Sequence, residues 1–170
     1  MLAARGFQLP LALLLTLGGS LAACNRGSDT ASEANAEDGT LLSPYLAIGA
    51  ALAKDDATTL GTLLPALLAA TKSHDGEAGV AGIAQGAAAM AGGDLATARA
   101  GFKQVSAGMI EAMKADPQAQ AKHMLVHCPM TFEGKGALWV QAKGSVNNPY
   151  EGSRMLRCGD VVGWSDPLPE

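Results

Sequence analysis

The chain is expected to be mainly α-helical: an up-and-down four-helix bundle followed by a loop-rich segment with short strands. Two observations predict this. The 170 residues are 48% apolar but only 4% aromatic and 16% charged, and the apolar excess is mostly Ala and Leu, which favours helix over an all-β sandwich. Between Leu41 and Met113, apolar residues recur at steps of three and four in segments joined by short links, the mark of successive amphipathic helices. After Gln120 that period gives way to short apolar runs between Gly-, Asn- and Pro-bearing loops. With 21 Gly and 8 Pro the chain is neither collagen-like nor wholly disordered. Twelve basic against sixteen acidic residues give −4, which excludes a phosphate-backbone binder and so nucleic acid as a partner.

In chain order, residues 1–23 read as an export signal. Arg5 is the only charge before an apolar run from Leu9 to Leu17, shorter than the roughly 20 residues a spanning helix needs. Leu21-Ala22-Ala23-Cys24 resembles the lipobox of bacterial lipoproteins. The resemblance implies removal of residues 1–23 and acylation of Cys24, and several acyl chains hold a membrane far more firmly than one. Asn25 follows the cysteine where Asp is that family's usual inner-membrane retention mark. The implied location is the periplasmic face of the outer membrane. Residues 25–40 carry no large apolar side chain and cannot offset the entropy of ordering, so 24–40 reads as a flexible tether and 41–166 as the domain.

Ser43-Pro44 suits a helix start, Ser as N-cap and Pro at the first helical position, with Tyr45, Ile48 and Leu52 on one face. Asp55 or Asp56 is placed to cap a second helix bearing Leu60, Leu64 and Leu67, in which Pro65 is expected to cause a kink or a split. Residues 77–91 form a weaker, glycine-interrupted third helix whose small residues allow close backbone approach. Gly92-Gly93 breaks the chain and Asp94 caps the fourth. Its stripe of Leu95, Ala98, Phe102, Val105, Met109 and Met113 ends before Asp116-Pro117. Met90, Met109 and Met113 fall on helical spacing and read as core filler rather than ligands.

The chemistry concentrates beyond His123. His127-Cys128-Pro129-Met130 and Met155-Leu-Arg-Cys158-Gly159 each bring a cysteine and a methionine close together. Thiolate, thioether and imidazole suit Cu(I) or another soft ion better than Mg or Ca. The candidate metal residues are therefore Cys128, Met130, Met155, Cys158 and His127. On the residues alone a disulfide between the same two cysteines stands slightly ahead of the metal site, since an exported chain meets an oxidising compartment and only they remain once Cys24 is acylated. Closing that loop stabilises a fold by roughly 3–4 kcal/mol on the chain-entropy view. A structural zinc site lacks a recognised spacing. Covalent haem lacks a Cys-x-x-Cys-His run. Nothing forms a catalytic motif, and no enzyme is expected; His127, adjacent to Cys128 in an extended run, is poorly placed as its base.

The run His127-Cys-Pro-Met-Thr-Phe-Glu-Gly-Lys-Gly-Ala-Leu-Trp-Val-Gln141, with Asn148-Pro-Tyr150 and Met155-Leu-Arg-Cys-Gly159, resembles a bacterial domain of unknown function. That domain occurs alone in periplasmic proteins and at the C-termini of adaptor (membrane-fusion) subunits of copper and silver efflux pumps. The resemblance covers about residues 41–162. It implies a helical domain associated with copper or silver handling, with an efflux adaptor as partner and Cys128, Met130, Met155 and Cys158 as the matched residues. The chain lacks the adaptors' hairpin and barrel domains, so transfer or storage is expected rather than export. The alternative is a structural or interaction module stapled by Cys128–Cys158, with Phe132, Trp139 and Tyr150 as a partner-facing surface.

Overall fold

The structure, a computed structural model, describes residues 40–167. The expected signal peptide, Cys24 and all but the last residue of the expected tether lie outside the described residues. The elements run α1 (Leu42–Ala53), α2 (Ala57–Ser73), α3 (Val80–Met90), α4 (Leu95–Met113), α5 (Pro117–Lys122), β1 (His123–Cys128), α6 (Thr131–Gly134), β2 (Ala137–Ala142), a 3-10 turn (Gly152–Arg154) and β3 (Asp160–Val162). The fold is mainly helical with a small C-terminal sheet. The four long helices pack in succession, α1 on α2, α2 on α3 and α3 on α4, and α4 also meets α1 and β2. No helix among the described residues is long and apolar enough to cross a membrane.

Several helix ends follow the local chemistry. Asp94 accepts a 2.8 Å hydrogen bond from the Thr97 amide at the start of α4. Of the two candidate caps for α2 it is Asp56 that serves, accepting from the amides of Thr58 and Thr59 at 3.1 Å each. Asp116 does the same for α5, with Pro117 at the first helical position. That six-residue helix is an addition to the expected elements. α1 differs from expectation: Leu41, not Ser43, occupies the N-cap position, without a side-chain cap hydrogen bond. Burial of Leu41, Pro44, Tyr45 and Ile48 sets that end, and Pro44 removes one of the amides a cap would have served.

Pro65 neither splits nor ends α2, which runs through it from Ala57 to Ser73. Pro65 is exposed, so the carbonyl of Gly61, which loses its helical donor, faces water. Leu60, Leu64 and Leu67 remain buried on the other side, and their packing outweighs the lost bond.

α3 and α4 approach at glycine. A Cβ on Gly86 would stand 2.7 Å from the Gly101 carbonyl oxygen, and one on Gly101 would stand 2.8 Å from that of Gly86. The glycines that weaken α3 as a helix are what bring its backbone against α4. Met90, Met109 and Met113 are buried, as core filler.

Two of the short apolar runs after Gln120, His123–Cys128 and Ala137–Ala142, are strands. The sheet is antiparallel in the order β2-β1-β3, with Val126 opposite Trp139 and Val161. β2 is an edge strand, and its outer edge is closed by two tyrosines. The Val140 amide donates to the Tyr45 hydroxyl at 2.9 Å, and the Tyr150 hydroxyl donates to the Leu138 carbonyl at 2.7 Å. Edge groups taken up by buried side chains offer nothing to a foreign strand.

The glycine contact gives a measurable expectation. Gly101→Ala should lower stability by roughly 1–3 kcal/mol, since the new methyl meets the Gly86 carbonyl oxygen and the Met90 backbone nitrogen as well as the buried Met90 side chain. Gly61→Ala, on an open face of α2, should raise it by about 0.5–1 kcal/mol. Urea denaturation of the two variants checks both signs.

Candidate functional site

The sheet itself brings the two cysteine runs together. Cys128 ends β1, and the pairing of His127 with Asp160 sets the residues just before β3 beside it. Cys128 and Cys158 are joined in a disulfide with their Cα atoms 5.8 Å apart. Gly159 lies against the same spot; a Cβ there would stand 2.7 Å from both Trp139 and Val126, so no larger residue fits beside the bond.

Cys158 is held by more than the bond. The fully buried Asn148 donates from Nδ2 to the Cys158 carbonyl at 2.9 Å, and its amide donates to the Leu156 carbonyl at 2.8 Å. Its Oδ1 accepts from the amides of Tyr150 and Glu151. Arg157 donates to the Val146 carbonyl and the Asn147 side chain. One asparagine thus closes the loop from Asn148 to Cys158 using both ends of its amide.

The Cys128 side is built differently. Phe132 and Glu133 both take left-handed backbone angles (φ 52° and 60°), and Gly134 follows at φ 81°. The left-handed region costs roughly 1–2 kcal/mol for each non-glycine residue, so α6 persists only because its surroundings hold it. The Phe132 ring centroid lies 5.3 Å from that of Tyr150, and the Lys103 ammonium lies over the Phe132 ring, 4.9 Å from its centroid. Lys103 also donates to the Gly136 carbonyl at 2.8 Å.

Met130 and Met155 border one hollow of about 590 Å³, with Phe132 and Tyr150 behind them and Arg99 and Glu151 among its polar lining. Met130 is 63% exposed. Of the five expected metal residues, Met130 and Met155 share the wall of the hollow, while Cys128 and Cys158 are bonded to each other and do not line it. His127 is the fifth. It alternates with Cys128 along β1 and so projects from the other face of the sheet. It faces Gly136 and does not border the hollow.

The expected partner-facing trio divides. Phe132 is half-buried, but Trp139 and Tyr150 are 1% and 4% exposed and belong to the core. A Trp or Tyr in a loop-rich stretch reads the same from sequence whether it faces a partner or its own helices. Asn148, Lys103 and Arg99 shape the site without belonging to the expected set. Asn148 heads the noted Asn-Pro-Tyr run, whereas Lys103 and Arg99 act across 33 residues or more and leave no local signal.

Arg99 joins the wall of the hollow to the helices. It donates to the carbonyls of Leu52 and Pro149 at 3.1 Å each and pairs with Asp55, which sits in the left-handed region at the end of α1 (φ 58°). Asp55 also accepts from the Ser153 amide at 3.0 Å. Hydrogen bonds from Ser153 and Arg99 hold its carboxyl down at about 2, and those from Thr59 and Thr58 hold Asp56 at about 2. Burial raises the Tyr45 phenol to about 12 and keeps that of Tyr150 well above its ordinary value. Both stay protonated, as the hydroxyl donated to Leu138 requires.

As a bonded pair the cysteine sulfurs offer no thiolate, which leaves the methionine thioethers as the soft donors bordering the hollow. Among the described residues no group of three or more His, Cys, Asp or Glu is placed to hold a metal ion, so a site here depends on methionine. No family model matches the chain, and no curated protein or solved structure matches it either.

The depressed carboxyls fix a pH response. Their contribution to stability is complete above the ordinary carboxylate value of about 4 and is lost as pH falls towards about 2. The urea midpoint should therefore drop across that window. Asp55→Asn should flatten part of the drop while lowering stability at neutral pH. An unaltered acid profile in that variant would show that Asp55 is not held by Ser153 and Arg99.

Proposed function

We propose that the protein is a lipid-anchored envelope protein that binds a soft ion, Cu(I) foremost, for copper or silver handling. The proposed ligands are the sulfurs of Cys128, Met130, Met155 and Cys158. The observation that carries this reading is the meeting of two sulfur-bearing runs 30 residues apart, with both methionines on one hollow. Thiolate and thioether are the donors a soft ion prefers. The thioethers bind at any pH, whereas the thiolates require the disulfide to be reduced and their protons lost. His127, on the opposite pleat, is not used in this ligand set.

On this proposal acylated Cys24 anchors the chain, residues 24–40 tether it, and α1–α4 close as an up-and-down bundle that supports the site at the periplasmic face of the outer membrane. The partner is a heavy-metal efflux adaptor, to which the ion passes without catalysis. The formed disulfide and the complete burial of Cys128 favour one second reading, a stapled module that docks on an efflux or envelope partner with no ion involved.

Copper titration of the full chain separates them. Anaerobically reduced protein should take up about one Cu(I) per chain. Met130→Leu with Met155→Leu should raise Kd by about tenfold, ~1.4 kcal/mol, or more. An unaltered Kd in the double variant removes the thioethers from the site. Thiol titration of protein taken directly from cells supplies the other arm: two thiols protected by metal support the ion-binding reading, and none, with normal stability, supports the staple.

A further inference from the structure

We infer that the disulfide is a latch on the left-handed turn at Thr131–Gly134, and that its reduction opens the Met130–Glu133 side of the hollow while the segment from Met155 to Cys158, which brings Met155 to the other side, stays in place. This assigns a redox control to the ion site proposed above and rests on that reading for its purpose, though the opening itself needs no metal.

The two sides of the bond are held by unlike means. Without the disulfide, Cys158 keeps the Asn148 hydrogen bonds to its own carbonyl and to that of Leu156, together with those of Arg157. On the other side Cys128 keeps its pairing with Ala137 at the end of β1 and its full burial, but the turn that follows it has no comparable network. Met130 is largely in solvent, and the turn after it places Phe132 and Glu133 in a region that L residues rarely adopt. The restraints on the turn include Phe132 against Tyr150, Lys103 over the Phe132 ring and on the Gly136 carbonyl, the amides of Lys135 and Gly136 on the carbonyls of Phe132 and Thr131 and the buried Thr131 side chain. A strained turn with so few restraints is the first element to leave when its covalent tie goes.

The step is a thiol–disulfide exchange. A dithiol reductant supplies two electrons and two protons, the Cys128–Cys158 bond breaks to give two thiols, and the reductant becomes a disulfide. The buried Cys128 sulfur then gains a route to solvent through the opened turn, and Met130 can re-aim towards Met155. The bonded form is closed to the ion and the reduced form is open to it.

Hydrogen exchange on the metal-free full chain, oxidised and then reduced with dithiothreitol, tests the latch. Amides of 130–136 should exchange about tenfold faster or more after reduction, while those of α1–α4 and 155–158 change less than about twofold. Glu133→Gly, which removes part of the left-handed penalty, should shrink the acceleration several-fold. Lys103→Met should speed exchange of 130–136 even in the oxidised protein. Exchange at 130–136 that ignores reduction overturns the latch, as does acceleration spread evenly over all the helices. Turn opening without copper uptake would overturn the ion-binding reading and leave the latch standing; copper uptake without turn opening would do the reverse.

Discussion

The structure depends on a cluster of aromatic rings at the junction of helices and sheet. The chain has seven Phe, Trp and Tyr residues, and five of them meet here. Tyr45 stacks on Phe102 at 5.1 Å; Phe102 meets Tyr150 at 5.9 Å; Tyr150 in turn meets Phe132 and, edge-on, Trp139. In a protein whose other core residues are mostly Ala, Leu, Val and Met, these rings supply the large buried areas that bind α1 and α4 to the sheet. Their hydroxyls close the outer edge of β2, so the same two tyrosines fill the core and finish the sheet. Phe132 is the member nearest solvent, and through it the cluster reaches the wall of the hollow.

The helical half was legible in the sequence because its determinants are local. The α4 stripe, its Asp94 cap and its stop before Asp116-Pro117 all lie within a few residues of what they control, and the glycine content of α3 announced its close approach to α4. Expectation failed where a distant contact outweighed a local preference. Pro65 stays inside α2 because buried leucines hold the helix and its freed carbonyl faces water. Ser43 yields the N-cap position to Leu41 because burial sets that end of α1.

The C-terminal third was legible in part for the same reason. Two cysteines in a chain expected to be exported pointed to a disulfide, and the Cys-Pro-Met and Met-Leu-x-Cys runs marked the two methionines that border the hollow. Strand parity was not visible before β1 was known to be a strand, and it is parity that sends His127 to the opposite face from Cys128. Asn148, Lys103 and Arg99 bond mainly to groups far along the chain or to loop carbonyls whose positions only the fold fixes. Trp139 and Tyr150 illustrate the converse: their residue type is as common at interfaces as in cores, and only the helices packed on them decide between the two.

A disulfide and a thiolate metal site make exclusive claims on the same two sulfurs, so a protein that uses both must keep its fold when the bond is absent. The distribution of restraints meets that condition. β1 remains paired on both sides, the rings still bind sheet to helices, and Asn148 still closes the loop that carries Cys158. None of these contacts passes through sulfur. A disulfide placed as the sole tie of its loop would couple reduction to unfolding, as in small domains that lean on their bridges. Here the short, backbone-strained turn after Met130 is the thinly held part, resting on Thr131, Phe132 and Lys103. The lost tie is therefore felt at the wall of the hollow rather than in the core, which is the arrangement a redox-controlled binding site requires.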